Sequence, residues 1–313
     1  VEGTFTAQDV AEDIYDLYDN GDSETLKPKG SNWNNFNDMF SILLGQLTVV
    51  TGVPSSGKSN FIEWYILCLI RDNNQLKTSY YSPEHFPLKK HHEIMAEKVV
   101  GKHFAKSKFD DRMNRAEVGE YIKWSSDKIY LTMPDGGVTP SWAWIFERWK
   151  EQCFKYGCNI FVVDAFNKVK MDNRESTAQI SDLLSDITMF CQTHNVHVFL
   201  IAVKGSGDFR DQAHNGLCVH RVYDSDDKRD VIIKNLKAKF KNQGSGNIGN
   251  TVSVKFNVKN GRYFESFEDN DPIWEESKQQ EIKPAQSNIG NSRLSALNKQ
   301  SGYPSELIDD CPF

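Results

Sequence analysis

The chain has 313 residues, enough for one large domain or two small ones, and its hydrophobic content of 39% allows a sizeable core. No apolar run reaches the roughly 18 residues that mark a membrane-spanning helix, so no membrane association is expected. The net charge of -6 does not indicate a nucleic-acid-binding protein, but the acidic excess lies after residue 264, and the nearly neutral remainder can still present lysines on one face.

The first thirty residues predict a short amphipathic helix followed by a polar linker. Val10, Ile14, Leu17 and Tyr18 recur at helical spacing. The chain opens on Val1 rather than Met, so we expect it to be a piece of a longer protein. We assign residues 1–30 to this linker segment, residues 31–267 to one ATPase domain, and residues 268–313 to a disordered acidic tail rich in Gln, Asn and Ser.

Strands and helices alternate between residues 47 and 264, which is typical of an α/β protein with a mostly parallel sheet. The predicted strands cover residues 47–51, 78–82, 128–132, 159–163, 197–202, 216–221, 230–236 and 251–257. Helical patterns fill most of the gaps, notably residues 141–156 and 177–194. The tryptophans of the first of these helices are interpreted as packing residues rather than as platforms for bases.

A glycine-rich turn follows the first predicted strand and precedes an apolar helix. Its residues are Gly52, Val53, Pro54, Ser55, Ser56, Gly57, Lys58 and Ser59. A turn of this pattern points backbone N–H groups at phosphates, where the helix dipole also favours an anion. The lysine can then reach the β- and γ-phosphates, and the serine hydroxyl can bind Mg²⁺. The pattern therefore predicts a nucleoside triphosphate site, with an ordinary strand-to-helix turn as the alternative.

Two carboxylates follow other predicted strands. Asp164 ends the apolar run 159–163, a position from which a carboxylate holds Mg²⁺ in phosphate-loop proteins; a helix cap is the alternative. Glu84 follows the strand 78–82 between two prolines and could polarise an attacking water, with an exposed loop glutamate as the alternative. His91 and His92 are adjacent and do not share a helix face, so no metal site is predicted there.

The order of these motifs resembles the hexameric replicative helicases of the DnaB/Twinkle family, above all the helicase half of phage and bacterial Toprim primase–helicases. The matching stretches, which together span roughly residues 45–264, are "GQLTVVTGVPSSGKS", "YYSPEHFPLKKHHEIMAEKVVGKHF", "GCNIFVVDAFNKVKMDNRESTAQISDLLSDI", "KGSGDFRDQAHNGLCVHR" and "LKAKFKNQGSGNIGNTVSVKFNVKNGRYF". The resemblance implies a RecA-like P-loop ATPase core that closes into a ring, with MgATP bound between neighbouring subunits. It further implies translocation on single-stranded DNA and unwinding of duplex DNA during replication.

The resemblance also implies roles for individual residues. Glu84 takes the place of the general base, and Arg221 and Phe256 match positions that sandwich the adenine, chemistry that suits a guanidinium and an aromatic face. Lys239, with Lys237 as the second candidate, matches the basic finger that reaches the γ-phosphate of the neighbouring subunit. The family usually has Arg at this place, and Lys keeps the charge but loses the bidentate fork. An exposed strand edge kept soluble by lysines is the alternative.

Two loops are expected to face the DNA channel, because both leave the carboxyl ends of neighbouring strands. Their candidate contacts are Lys168, Lys170 and Arg174 in the first loop, and Lys204, Gly205, Ser206 and Arg210 in the second. Solvation of an ordinary loop explains any one of them equally well. The second loop departs from the family, because no His or Gln follows Ala202 to sense the γ-phosphate. Either this loop is short, or a segment of the sequence is missing. The good match of the sequence on both sides of the loop favours a missing segment.

The remaining predictions concern binding partners, cellular location and alternative functions. The N-terminal helix is expected to pack on an adjacent subunit, and the tip Asp309-Asp310-Cys311-Pro312-Phe313 resembles acidic tips that recruit replication partners. The cytoplasm of a bacterial cell or a phage-infected host is the expected location. A RecA/RadA-like recombinase or regulatory ATPase, and a nucleotide-dependent DNA clamp without motor activity, are the alternative functions.

Overall fold

The computed structural model describes residues 3–21, 24–106, 111–134, 136, 138–170, 177–202, 212–223, 225 and 228–274. Several of the predicted contacts lie outside these residues: Arg174, Lys204, Gly205, Ser206, Arg210 and the acidic tip 309–313. Within the described part, no helix is both long enough and apolar enough to cross a membrane.

A nine-stranded sheet forms the centre of the domain. Its strands are β1 (Leu47–Thr51), β2 (Thr78–Tyr81), β3 (Ile129–Leu131), β4 (Ile160–Asp164), β5 (His197–Ile201), β6 (Asn215–Arg221), β7 (Asp230–Lys237), β8 (Thr251–Phe256) and β9 (Tyr263–Phe264). They lie in the order β3-β2-β4-β5-β1-β6-β7-β8-β9. The strands from β3 to β6 run parallel, and those from β6 to β9 pair antiparallel. The predicted α/β class with a mostly parallel sheet is confirmed, and among the strands of the described residues only the two-residue β9 was missed.

Helices cover both faces of this sheet. The α-helices of the described chain are α1 (Ala11–Asn20), α2 (Asn34–Met39), α3 (Lys58–Asp72), α4 (Leu88–Val100), α5 (Arg115–Ser125), α6 (Trp142–Tyr156) and α7 (Thr177–His194). Of these, α1 contributes no buried residue to either face. Side chains of a strand alternate between faces, so Val50 packs with the core of α3 and α4, whereas Val49 packs with that of α6 and α7. Trp142 and Trp149 are buried in the second core, as predicted for packing residues.

The two ends of the described chain differ in how they meet the domain. The predicted N-terminal helix is present as α1, but none of its residues is buried, and Ile14 and Leu17 are about half exposed. At the other end, the packed chain continues past residue 267 to Trp274, since the Ile273 side chain is only 4% exposed and its N–H donates to the Val99 carbonyl. The domain therefore reaches a few residues beyond its predicted boundary.

The register of the parallel strands explains where a ligand site can form. Val50 pairs with Ile201, and Asp164 pairs with Ile201 on the other side, so β1, β4 and β5 end at the same edge of the sheet. Tyr81, the last residue of β2, pairs with Val163 and ends there too. The segments that follow these strands are the glycine-rich turn, the Glu84 turn and the chain after Asp164. Open α/β sheets bind ligands at this edge.

Candidate nucleotide-binding site

A cavity of about 430 Å³ opens at the carboxyl edge of the sheet. Its walls combine the glycine-rich turn, the two predicted carboxylates and the ends of the antiparallel strands. The lining residues are Pro54, Ser55, Ser56, Gly57, Lys58, Ser59, Asn60, Glu84, His85, Asp164, Ala165, Ile201, Arg221, Val231, Phe256 and Tyr263. Sequence positions more than two hundred residues apart thus meet around one space of the size that a small-molecule ligand fills.

The glycine-rich turn has a backbone that only glycine adopts without strain. Gly52 has a φ of 145° and Gly57 a φ of 94°, both in the range that disfavours other residues. A Cβ atom on Gly52 would collide with the carbonyl oxygen of Val219, and one on Gly57 would lie 2.6 Å from the hydroxyl of Tyr263. That hydroxyl donates to the Gly57 carbonyl at 3.2 Å. Tyr263, on the missed strand β9, is a site residue that the sequence did not reveal.

Lys58 is the first residue of α3, and its ammonium group is held inside the turn. The Nζ atom donates to the carbonyl oxygens of Gly52 and Val53, both at 2.9 Å. The side chain is 7% exposed, and burial lowers the pKa of Lys58, while the negative charges of Asp164 and Glu84 oppose this effect. Bound phosphates would supply the negative charge that this buried cation lacks, and so the position fits the predicted role.

Ser59 and Asp164 form the pair that fits Mg²⁺. Asp164 is only 5% exposed at the end of β4, and the Ser59 hydroxyl lies near its carboxylate. Burial raises the pKa of Asp164 to about 6; the neighbouring Ser59 hydroxyl opposes the rise, and nearby Glu63 and Glu84 add to it. A buried carboxylate beside a hydroxyl is the oxygen donor set that Mg²⁺ prefers, and the cation would relieve the cost of burying the charge.

Asp164→Asn is expected to stabilise the nucleotide-free protein at neutral pH. Because the pKa of Asp164 is about 6 in the folded chain and 3.8 for an unperturbed aspartate, the folded state keeps a proton between these values that the unfolded state has lost. Stability from this group therefore falls as pH rises from about 4 to 6, by about 2–3 kcal/mol. Thermal denaturation at pH 5 and pH 8 should show a Tm gain of roughly 5 °C for the variant at pH 8 and a smaller gain at pH 5. Equal gains at both pH values would contradict this assignment.

Glu84 lies in a single turn, Pro83–His85, directly after β2. Its side chain is 54% exposed and points its Oε1 atom to within 3.9 Å of the Nζ atom of Lys168. The structure thus brings the predicted general base and one of the predicted DNA contacts together beside the cavity. Lys170, two residues further on, is exposed and lies outside the cavity walls.

Arg221 and Phe256 close the other end of the cavity. Arg221 ends β6, its Nη2 atom donates to the Lys228 carbonyl at 3.2 Å, and its guanidinium lies 5.8 Å from the Tyr223 ring. Phe256 ends β8, and its ring centroid is 5.2 Å from that of Tyr263. A cation and an aromatic face therefore border the same space, on the side away from Glu84, as stacking on a base requires.

Lys237 and Lys239 lie at the opposite edge of the sheet. Arg221 pairs with Val231 at the cavity, whereas Gly216 pairs with Lys237 at the far end of the same ladder. Six residues at about 3.3 Å each separate Val231 from Lys237, so the finger is roughly 20 Å from the cavity of its own chain. The backbone N–H of Lys239 donates to the Oδ1 atom of Asn215 at 3.3 Å. Within one chain, a phosphate bound in this cavity is therefore out of reach of these lysines.

Comparison with known proteins finds similarity to this chain both in sequence and in fold. No family model matches it. It is 28% identical over 291 residues to the Twinkle homolog protein, chloroplastic/mitochondrial, of Arabidopsis thaliana; the match covers 84% of this chain and 40% of that protein. The chain thus spans about two fifths of the length of this curated relative.

Two solved structures show the same fold. One is an isolated ATPase domain, which superposes with a TM-score of 0.64 at 15% identity, over 84% of this chain and 99% of that one. The other is a DnaB-like replicative helicase, solved in a study of its interactions with primase, which gives a TM-score of 0.64 at 16% identity, over 83% and 68% of the two chains. The RecA-like fold and the resemblance to DnaB/Twinkle proteins, predicted from the motifs, are confirmed.

Proposed function

We propose that the chain is the ATPase part of a ring-forming replicative helicase, which hydrolyses MgATP to move along single-stranded DNA and unwind duplex DNA. The observation that carries this proposal is the meeting of Lys58, Ser59, Asp164 and Glu84 around one cavity. These groups provide a phosphate cradle, a cation site and a base in one place. The similarity to a Twinkle homolog supports a helicase over a recombinase or a regulatory ATPase.

The site residues divide the work of hydrolysis. Lys58 holds the β- and γ-phosphates through its ammonium group, and Ser59 with Asp164 would hold Mg²⁺, which supplies positive charge to the phosphates. Glu84 takes the proton from the water that attacks the γ-phosphorus, and the β–γ bond breaks to leave the diphosphate. Arg221 and Phe256 fix the base at the far end of the cavity.

Assembly into a ring would complete this site. Lys239 of one subunit, roughly 20 Å from its own cavity, would neutralise charge on the transferring phosphate of the next subunit. The exposed apolar side of α1, with Ile14 and Leu17, supports the proposal that this helix packs on a neighbour. A hexamer is the ring size that the resemblance suggests, and the bacterial or phage-infected cytoplasm stays a prediction.

Contact with DNA is proposed for the loops at the cavity edge. The 3.9 Å approach of Lys168 to Glu84 supports a path by which DNA binding would change the position of the base. A strand backbone drawing Lys168 towards its phosphates would free the Glu84 carboxylate to accept a proton. A nucleotide-dependent clamp without motor activity lacks this link and predicts no response of hydrolysis to DNA.

The decisive experiment is ATP hydrolysis by this chain with and without a single-stranded oligonucleotide, with Lys58→Ala as the blank. Stimulation of about tenfold or more is expected for the motor, together with strand separation of a forked duplex. Filaments that pair homologous DNA would support the recombinase instead. A rate that does not respond to DNA, in a preparation that binds the oligonucleotide, would support the clamp.

A further inference from the structure

A buried group of charged and imidazole side chains lies directly behind the Glu84 turn. Glu63 is on α3, the helix that begins with Lys58, and is 3% exposed. Its Oε1 atom is 2.8 Å from the Nε2 atom of His91, and its Oε2 atom accepts from the Nζ atom of Lys98 at 2.8 Å. His91 and Lys98 are both on α4 and are 2% and 0% exposed. The Glu63 carboxylate thus links α3 to α4 through two polar contacts.

His85 connects this cluster to the nucleotide cavity. It follows Glu84 in the chain, lines the cavity, and its Nδ1 atom is 2.9 Å from the Ser82 hydroxyl. The same Nδ1 atom is 3.8 Å from Oε1 of Glu63, and the His85 ring lies 4.6 Å from the His91 ring, centroid to centroid. The half-exposed Glu84 is therefore followed in the chain by a histidine whose buried side packs against Glu63 and His91.

The charges of the cluster balance without an added cation. Burial by itself would raise the pKa of Glu63, but Lys98, with His91 and His85, holds that pKa well below its ordinary value, so Glu63 is an anion paired with a buried cation. Ligand atoms of Glu63, His85 and His91 do lie within 4.8 Å of one another. A divalent ion there would place two further positive charges beside Lys98, which has no exposed surface.

We propose that Glu63 and His91 are positioning residues for Glu84: through His85 they fix the Pro83–His85 turn relative to α3 and hence to the phosphates held at its first residue. This inference rests on the proposed function, because it assigns the cluster to the same hydrolysis. Glu84 has few restraints of its own, being about half exposed, and its nearest charged neighbour, Lys168, is about as exposed. The position of the Glu84 carboxylate is therefore set by the buried side chains of Glu63 and His91 behind the turn. A displacement of this carboxylate by about 1 Å can lower the rate a hundredfold.

The test compares His91→Leu with His91→Gln, in the full chain assembled as for the parent. The leucine removes the hydrogen bond to Glu63, whereas the glutamine amide can donate one. We expect kcat to fall roughly 10- to 100-fold in the first variant, to recover partly in the second, and the Kd of a fluorescent ATP analogue to stay within about twofold. His92→Leu is the matched control, because His92 bonds the Tyr121 hydroxyl at 2.7 Å and faces away from the cluster.

A double-mutant cycle with Glu84→Gln separates positioning from general support of the fold. If His91 acts through Glu84, the substitution His91→Leu should not slow a Glu84→Gln chain further under single-turnover conditions. Equal losses in both backgrounds, or a Kd that rises as much as kcat falls, would overturn the proposal. If His91→Leu does not fold, judged by thermal denaturation, His85→Ala replaces it in the cycle, since that side chain is 22% exposed.

Two further outcomes are distinguishable. Stoichiometric zinc or another transition metal in the purified protein by elemental analysis, lost in His91→Leu and kept in His92→Leu, would overturn the positioning role in favour of a metal site. A parent chain that binds the ATP analogue but does not hydrolyse ATP under any DNA condition would instead refute the proposed function, and with it the positioning role that rests on that function.

Discussion

Replacement of Glu84 by Gln is expected to lower kcat for ATP hydrolysis by about a hundredfold or more while the Kd for ATP stays within about threefold. The amide has the shape of the carboxylate but cannot accept a proton from water at neutral pH. Binding should persist because Lys58, Ser59 and Asp164, which line the same cavity, would still hold the phosphates and the cation. Steady-state hydrolysis and equilibrium titration with a fluorescent ATP analogue measure the two quantities separately.

Glu93→Gln is the matched control for this substitution. Glu93 is also at the Glu84 side of the domain, on α4, but it pairs with Lys90 at 2.6 Å and does not line the cavity. Its neutralisation should leave both parameters near parental values. If the Glu84 variant hydrolyses ATP like the parent, another group provides the base. If the Glu84 variant loses ATP binding instead, the carboxylate contributes to the binding of ATP rather than to the activation of the attacking water.

Lys239→Ala is expected to reduce kcat by about a hundredfold or more, although Lys239 is far from the cavity of its own chain. Basic fingers that neutralise a transferring phosphoryl group contribute factors of this size or larger. The Gly216–Lys237 pairing places the finger at the amino-terminal edge of β1, whereas the glycine-rich turn leaves the carboxyl edge. The loss of Lys239 should therefore slow hydrolysis only in the cavity of the neighbouring subunit. Lys241→Ala, an exposed lysine in the turn that follows, should keep the parental rate.

Co-expression of the Lys239→Ala and Glu84→Gln chains tests this transmission. Each chain alone forms only defective sites, but a mixed ring contains interfaces where an intact Glu84 meets an intact Lys239 from its neighbour. Hydrolysis by the mixture should rise well above that of either variant alone. If the mixture is no more active than the mean of the two, Lys239 acts within its own chain or outside the reaction, and the exposed strand edge is the better interpretation.

Most of the sheet could be predicted from the sequence because its strands are short apolar runs between turn-forming residues. The boundaries of β1 and α7 agree with those predicted, and the other strands differ by one or two residues at their ends. β9 was missed because two residues carry no periodicity. The hydrogen bond from Tyr263 to the Gly57 carbonyl was missed for a different reason, because no local pattern links positions that far apart in sequence.

The cluster behind Glu84 shows the limit of local patterns more clearly. His91 and His92 are neighbours in sequence, and their spacing argues against a site shared by the two. The structure turns His91 towards Glu63 and His92 towards Tyr121, because adjacent helical residues point in directions about 100° apart. Glu63 itself has the appearance of a polar interruption in an apolar helix. Only the packing of α4 on α3 gives it buried partners.

Local sequence was enough to define the glycine-rich turn, the two carboxylates at strand ends and the α/β class, because each depends on residues that are contiguous or that follow a strand directly. The folded chain was needed to establish which strands end side by side, that Arg221 and Phe256 border one cavity, and that Lys239 lies at the opposite edge of the sheet. These facts depend on strand order and register, which are fixed by the burial of both sheet faces beneath the helices rather than by any local preference of the chain.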